Sequence, residues 1–410
     1  VNRLKLLVIY SASEYPVRKT VWSYLYCFKK RSSLQVYYWN YFWWRRFPFF
    51  LNLAKVDVVL FHHSVTTPWT RSRYLRKIEF FKRVLATKAL KVALFQDEYF
   101  NCDLSCEFVN ALGISHVFSV APEVTWPVIY RSVDPKKTKI HRILTGYINQ
   151  AEIPATFDSG PRPIDVGYRT DWTNALYKTG SFGLRKKEIA EKFLPRLTQS
   201  GFSADIRVNR RSFLTGNRWF EFLKRCRFVL GVESGSGVVD TDGSILTCIA
   251  ENLRRQPSAS FETIKRTCFP NQDGKTVVRA LSPRHFEAIL CGACQILMEG
   301  EYNGILIPWR HYLPLKSDYS NIDGILERLR DEKKRLAMAE QAFSDIVLSG
   351  KYSYDAFVSH LLSIIQRDIP VATPSRWPFK LPHQVFNLLD TMGWAFGAWY
   401  RLLAFGKYFS

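Results

Sequence analysis

Short apolar runs, each too brief for a helix, alternate with longer amphipathic segments along most of this chain. Leu4–Tyr10, Leu34–Trp39, Val56–His62, Lys91–Gln96 and His116–Val120 are such runs, rich in β-branched and aromatic side chains. Segments such as Lys19–Lys30 and Arg71–Ala86 lie between them and carry apolar residues at helical spacing. Strand–helix–strand alternation of this kind predicts an α/β protein with a parallel sheet and helices on both faces. The pattern breaks at Asn149–Pro163, where Pro154, Gly160, Pro161 and Pro163 interrupt any periodicity, and a domain boundary is expected there.

A second α/β run follows. Ile164–Tyr168, Ala204–Val208, Phe228–Val232 and Cys294–Met298 read as strands, and Leu184–Ser200, Trp219–Arg225 and Ser244–Arg254 as helices. Ile189, Phe193, Leu194 and Leu197 fall on one face of the first helix, and Gly201 stops it. Ser282 is an N-cap with Pro283 at the first helical position, and Gly292 ends that helix. Asn321–Arg330, Glu332–Leu348 and Tyr354–Gln366 are further helices, while 233–280 has no clean pattern. The expected fold is two Rossmann-like domains, 1–155 and 160–368, followed by an aromatic, basic tail over 369–410.

Charge narrows the function. The chain of 410 residues carries 58 Lys plus Arg against 36 Asp plus Glu, a formal charge of +22. Such a surplus fits nucleic acid, an acidic membrane or phosphorylated substrates. No nucleic-acid-binding motif is present. No run of about 18 uncharged apolar residues occurs, so no transmembrane helix is expected, and the start shows no signal-peptide pattern. Eight cysteines in mostly apolar settings fit a reducing compartment. Two clusters, Tyr37–Phe50 and the tail with Trp377, Phe379, Trp394, Phe396, Trp399 and Tyr400, combine aromatic rings with Arg or Lys. Those are residues of a lipid–water interface; the alternative is that both pack on the protein itself.

Four constellations could carry chemistry. Asp165–Arg169 runs into Gly180-Ser-Phe-Gly183, then Arg185, Lys186 and Lys187 in the first turn of a helix. Cations there oppose the helix dipole, and a diphosphate would account for them; a solvated basic face is the other reading. Arg284 and Glu287 share a face of the Ser282-capped helix, where the carboxylate can accept ribose hydroxyls or pair with Arg284. Asp240-Thr-Asp242-Gly243 has the form of a metal–diphosphate motif, but the triplet is short and common, and Asp-Gly by itself marks a turn. Asp97 and Glu98 follow a strand, as do His62 and His63, and any of these could take a proton from an acceptor hydroxyl. Cys291-Gly-Ala-Cys294 sits at a helix-to-strand turn and reads as packing rather than as a zinc or redox motif.

The segment from Ser282 to about Gln366 resembles the C-terminal domain of GT-B glycosyltransferases, in particular the family-1-like group that includes the spore-coat CgeB-type proteins. The features in order are Ser-Pro-Arg-x-Phe-Glu-Ala from Ser282, Gly292, a strand, Glu299-Gly-Glu-Tyr-Asn-Gly304, Leu313-Pro-Leu, Asp318–Asp323, and paired helices ending near Tyr352–Phe357. The resemblance covers about half of the chain. It implies a GT-B fold with two Rossmann-like domains facing a cleft. It implies transfer of a sugar from a nucleotide-sugar donor to a lipid-linked or cell-surface glycan, with neither metal nor other cofactor required.

By the same resemblance Glu287 holds the donor ribose, Arg169, Arg185 and Lys187 with the Gly183 loop take the diphosphate, and Ser282 and Arg284 line the pocket. Asp97, Glu98 and His63 are the candidates for the catalytic base. Many retaining members carry a second glutamate eight positions before the first; Arg279 stands there, so the stereochemical course stays open. A peripheral position on the cytoplasmic membrane face is expected, with no nucleic-acid partner. A CDP-polyol phosphate transferase of similar fold and a non-catalytic anion-binding protein are the alternatives.

Overall fold

The computed structural model describes residues 3–13, 18–44, 56–68, 70–85, 87–171, 173–212, 214–370, 387–396 and 398. The chain divides into two compact units, 1–143 with 358–410, and 144–357. The division falls at Leu144, ahead of the proline-rich stretch, and 358–368 groups with the first unit.

In the first unit the described strands are β1 (Leu4–Tyr10), β2 (Leu34–Asn40), β3 (Val58–Phe61), β4 (Leu90–Phe95), β5 (His116–Ser119) and β6 (Lys139–Arg142). They form one sheet in the order β2-β1-β3-β4-β5-β6, and every neighbouring pair is parallel. The central strands are buried nearly end to end, as a sheet covered on both faces requires. Helices Lys19–Tyr26, Arg71–Val84 and Cys102–Leu112 connect them. Phe61, Phe81 and Phe108 meet edge to face beneath the sheet. β3 is shorter than its apolar run because His62 leaves the strand, and its ring nitrogen accepts the Ser64 amide to start a short helix.

The tail returns to this unit. Asp368 pairs with Lys139 at 2.7 Å. Residues 387–396 are helical. Asp390, buried there, accepts hydrogen bonds from the Tyr10 and Tyr26 hydroxyls, and the Trp394 ring stacks on Tyr10 at 5.9 Å. Burial among these groups raises the Asp390 carboxyl above its ordinary range, against the pull of the two tyrosine hydroxyls. Of the aromatic clusters, residues 45–50, Trp377, Phe379, Trp399 and Tyr400 lie outside the described residues.

The second unit holds β7 (Ile164–Thr170), β8 (Ala204–Val208), β9 (Cys226–Gly231), β10 (Ser234–Ser236), β11 (Val278–Ala280), β12 (Cys294–Met298) and β13 (Leu313–Leu315). Its parallel sheet runs β13-β12-β9-β7-β8, with β10 and β11 as a separate antiparallel ribbon. The helix after β7 begins at Ser181 and ends at Gln199, burying Ile189, Phe193 and Leu197 while Leu194 stays at the rim of that face. Helix Pro283–Leu290 has the expected Ser282 cap and Pro283 start.

The stretch 233–280 resolves into the ribbon and two helices, Ser244–Arg255 and Phe261–Cys268. These helices share a small core that includes Val238, Ile249, Ile264 and Phe269, and Cys248 and Cys268 are joined by a disulfide. The expectation of reduced thiols throughout therefore does not hold for this pair. The other six cysteines are buried and form no disulfide among the described residues.

Candidate functional site

Parallel strands deliver their carboxyl ends to one edge of a sheet, and the loops that follow form the usual ligand site of such a unit. In the second unit those loops follow β7, β9 and β12, and the start of helix Pro283–Leu290 joins them.

Glu287 stands one turn into that helix, half-buried, and its Oε2 accepts the Trp219 indole N–H at 2.7 Å. Arg284, on the same face, donates to the carbonyl of Arg169 at 2.6 Å, and its guanidinium lies 4.9 Å over the Trp219 ring. Glu287, Arg284 and Trp219 thus form one cluster beside the end of β7. Ser282 is taken up as the cap, its hydroxyl accepting the Arg284 amide. His285, buried below the cluster, bonds Gln295 at 2.9 Å. Burial lowers its pKa to about 4, so the ring is neutral at pH 7.

A second cluster lies after β9 and β12. Glu233 is buried; its Oε1 accepts the amides of Glu301 and Tyr302 at 3.1 and 2.7 Å, and Arg279 donates to its Oε2 at 3.0 Å. The resulting loop is unusual: Tyr302, Asn303 and Gly304 all have positive φ. A bulky side chain rarely adopts that backbone, and it is held here by the Glu233 carboxylate and by the Tyr302 hydroxyl on the Met298 carbonyl at 2.6 Å. Gly300 has no room for a side chain, since a Cβ would come within 2.5 Å of Glu233. Arg279 and Arg185 both lie over the ring of buried Phe182, at 5.8 and 5.0 Å. The residue that departs from the retaining-enzyme pattern is thereby tied into the same region.

Several expected residues are placed otherwise. Arg169 turns into the sheet: its side chain is 6% exposed, bonded to the Asp205 carboxylate and backbone carbonyl on β8 and stacked 4.2 Å over Phe222. Its guanidinium clamps strands and is not offered to a donor diphosphate. Lys187 pairs along its helix with Glu191 at 3.2 Å. Gly183 is buried and donates its amide to the Gly180 carbonyl. The helix start at Ser181, where the diphosphate was expected, already holds an anion. Asp273 accepts the Ser181 amide and hydroxyl at 3.0 and 3.1 Å and pairs with Lys265. Gly180, with φ +65°, leaves the space: a Cβ there would come 2.3 Å from Asp273. Of the expected donor residues, Arg185, Arg284, Glu287 and Ser282 remain around the strand ends.

Asp240 and Asp242 are both engaged at the start of helix Ser244–Arg255. Asp240 accepts the amides of Gly243 and Leu246 at 2.9 Å, and Asp242 accepts the Ser244 amide and hydroxyl. This is the turn reading of the motif. Cys291 and Cys294 pack in apolar clusters, and burial pushes the Cys294 thiol up to about 12, which suits packing and not reactivity.

In the first unit Glu98 is fully buried. It accepts the Ser119 hydroxyl and the Ala121 amide, and burial raises its pKa above the ordinary carboxylate value. Its Oε1 thus organises the loop after β5, while its Oε2 is buried with no hydrogen-bond partner among the described residues. Burial also lowers His63 to about 4, and its ring lies 4.0 Å from that of His62. Asp97 is only partly buried, has a left-handed backbone with φ 58°, and accepts the Tyr99 hydroxyl at 2.8 Å.

Sequence reasoning passed over Glu233, Arg279 and Trp219 as site members. Glu233 carried one usable signal, its place directly after a buried strand. Trp219 lies in a helix between strands and carried none.

No protein-family model matches this chain, and no curated protein does. Among solved structures it is similar to an α-glucosyltransferase in complex with UDP-glucose and DNA containing an abasic site. The TM-score is 0.50 at 9% identity, covering 89% of this chain and 100% of that one. The fold is of the GT-B class. Other similar structures are Anabaena Alr3699/HepE in complex with UDP-glucose, at TM-score 0.49 and 8% identity over 89% of this chain and 100% of that one, and the DNA-modifying β-glucosyltransferase, at 0.49 and 14% over 88% and 99%. At these identities the likeness is one of fold.

Proposed function

We propose that this GT-B chain is a glycosyltransferase that binds a nucleotide-sugar donor in its second unit, with Glu287 on the ribose and Arg284 and Arg185 toward the diphosphate. The observation that carries the reading is the half-buried Glu287 carboxylate, set beside Trp219 and Arg284 at the carboxyl end of β7. The fold supports it, since the α-glucosyltransferase of the same fold was solved with UDP-glucose. The test is a thermal-shift screen against UDP, GDP, CDP, CMP and ADP and their sugars. Stabilisation by one nucleotide class, of several degrees at saturating ligand, is expected. A response to cytidine compounds alone would move the reading to polyol-phosphate transfer, and no response to any of them would overturn it. Neither metal nor other cofactor enters the proposal, because Arg284 and Arg185 can neutralise the leaving diphosphate.

The proposed acceptor is a lipid-linked or cell-surface glycan, met at an anionic membrane on its cytoplasmic face. No helix among the described residues is long and apolar enough to cross a membrane. In the helix over 387–396, Asp390 and Trp394 face the protein while Leu388, Met392 and Phe396 are exposed at 59%, 37% and 42%. These three recur every four residues and so share a stripe, and the chain's formal +22 complements an anionic leaflet. Co-sedimentation with vesicles containing phosphatidylserine, and loss of it in Leu388→Glu/Met392→Glu, is the expected result. Equal recovery with neutral vesicles, or none at low salt, would remove the membrane from the proposal. Salt-sensitive binding to duplex DNA in its place, with no nucleotide response, would favour the non-catalytic anion-binding alternative.

A further inference from the structure

The strands of the second unit also have amino ends, opposite the cluster around Glu287. A pocket of about 650 Å³ opens there. Its floor is apolar: Phe228 in β9, Cys294 at the start of β12, Leu313 at the start of β13, and Met338 on helix Glu332–Ala342. Four cations line the rest, Arg310, Arg328, Lys334 and Arg335, and none of the described lining residues is acidic. A volume of this size takes a small organic molecule and far exceeds a bare inorganic anion.

Arg335 distinguishes this pocket from a basic surface. Its side chain is 1% exposed, and its Nε and Nη2 both donate to Glu332 Oε1, at 3.0 and 2.7 Å. Its Nη1 is buried with no hydrogen-bond partner among the described residues. A charged donor left unmatched inside a protein is costly and rare, and Arg335 is one of the residues lining this cavity. Arg328 adds a second cation, held 4.6 Å over the ring of Trp309, which is itself half exposed at the pocket wall. Arg310 and Lys334 are balanced by Asp345 and Asp331. Arg335 is likewise paired, with Glu332, but keeps its Nη1 unmatched, and Arg328 has no acidic partner among the described residues, so these two are the cations that can turn a donor to a ligand.

We infer that this pocket binds a small amphipathic anion, one phosphate or carboxylate group on an apolar body, with the anion on Arg335 and Arg328 and the body on the Phe228–Leu313–Met338 floor. Two sources share that chemistry, a lipid-like phosphate ester and a soluble aromatic one. The site is separate from the proposed donor site and does not depend on it.

The test is calorimetric titration of the full chain with octyl phosphate below its micellar concentration, with phenyl phosphate, and with inorganic phosphate. At least one ester should bind about tenfold more tightly than inorganic phosphate, and the preferred ester names the source. Arg335→Met should weaken it about tenfold or more. Because that change also releases Glu332, Arg328→Ser and Trp309→Ala, at more exposed positions, serve as variants that keep the fold. Each should weaken the ester severalfold and leave any nucleotide-induced stabilisation unchanged. The inference is overturned if neither ester binds, if both bind no better than inorganic phosphate, or if the Arg328→Ser and Trp309→Ala proteins bind as the parent does.

Discussion

Glu287→Ala is expected to weaken nucleotide binding about 100-fold while leaving the unfolding temperature of the free protein nearly unchanged. A carboxylate that accepts two ribose hydroxyls contributes charge-assisted hydrogen bonds, each about 1.5 kcal/mol or more, and the loss of both is about 3 kcal/mol. The fold depends on Glu287 far less. It accepts the Trp219 indole N–H, on a partly exposed residue where water can replace that donor. Arg284 keeps its bond to the Arg169 carbonyl, and the helix keeps its Ser282 cap. Titration of the parent and the variant with the nucleotide that stabilises the parent decides the matter. Equal affinity would take Glu287 out of the site and leave the proposed function without its central residue.

Arg169→Met is expected to do the opposite. Stability should fall by about 2–3 kcal/mol, with nucleotide affinity intact in the folded fraction. The guanidinium is buried, so removing it strands the Asp205 carboxylate next to β7 and uncovers the Phe222 ring. The loss stays below the 3–5 kcal/mol typical of a fully buried pair, because Asp205 is 27% exposed and also pairs with Arg207 at 3.0 Å. Asp205 is held below its usual carboxylate range by Arg169 and Arg207, against a burial effect that raises it. Urea unfolding of the variant measures the loss, and Arg169→Met/Asp205→Leu should recover much of it. A variant of unchanged stability that no longer binds nucleotide would return Arg169 to the donor site.

These two substitutions show where sequence reading reached. Leu4–Tyr10, Ala204–Val208 and Cys294–Met298 have the strand limits the apolar runs predict, and Ser282 with Pro283 starts its helix as expected. Those features are local. A strand is set by a few consecutive side chains that must leave water, and a cap by one oxygen and an amide two residues away. The alternation of such pieces was enough for an α/β fold of two Rossmann-like units, and the Ser282 cap was enough to set Glu287 one turn into its helix.

Three pairings that decide the site were not visible, because each partner is brought in from far along the chain. Arg169 lies 36 residues from Asp205, Ser181 lies 92 from Asp273, and Arg279 lies 46 from Glu233. An arginine in the motif at β7 looks the same in sequence whether it faces a phosphate or a neighbouring strand. Only the pairing of β7 with β8, which sets Gly167 opposite Asp205, brings the Arg169 side chain within reach of that carboxylate. Likewise only the folding back of 233–280 places Asp273 on the Ser181 amide and Cys248 beside Cys268. The sequence by itself determined the elements, their order and the class of fold, since these follow from short-range burial and capping. The tertiary structure alone decided which cations are spent on holding the sheet and which remain for a ligand, since that depends on which strand lies next to which.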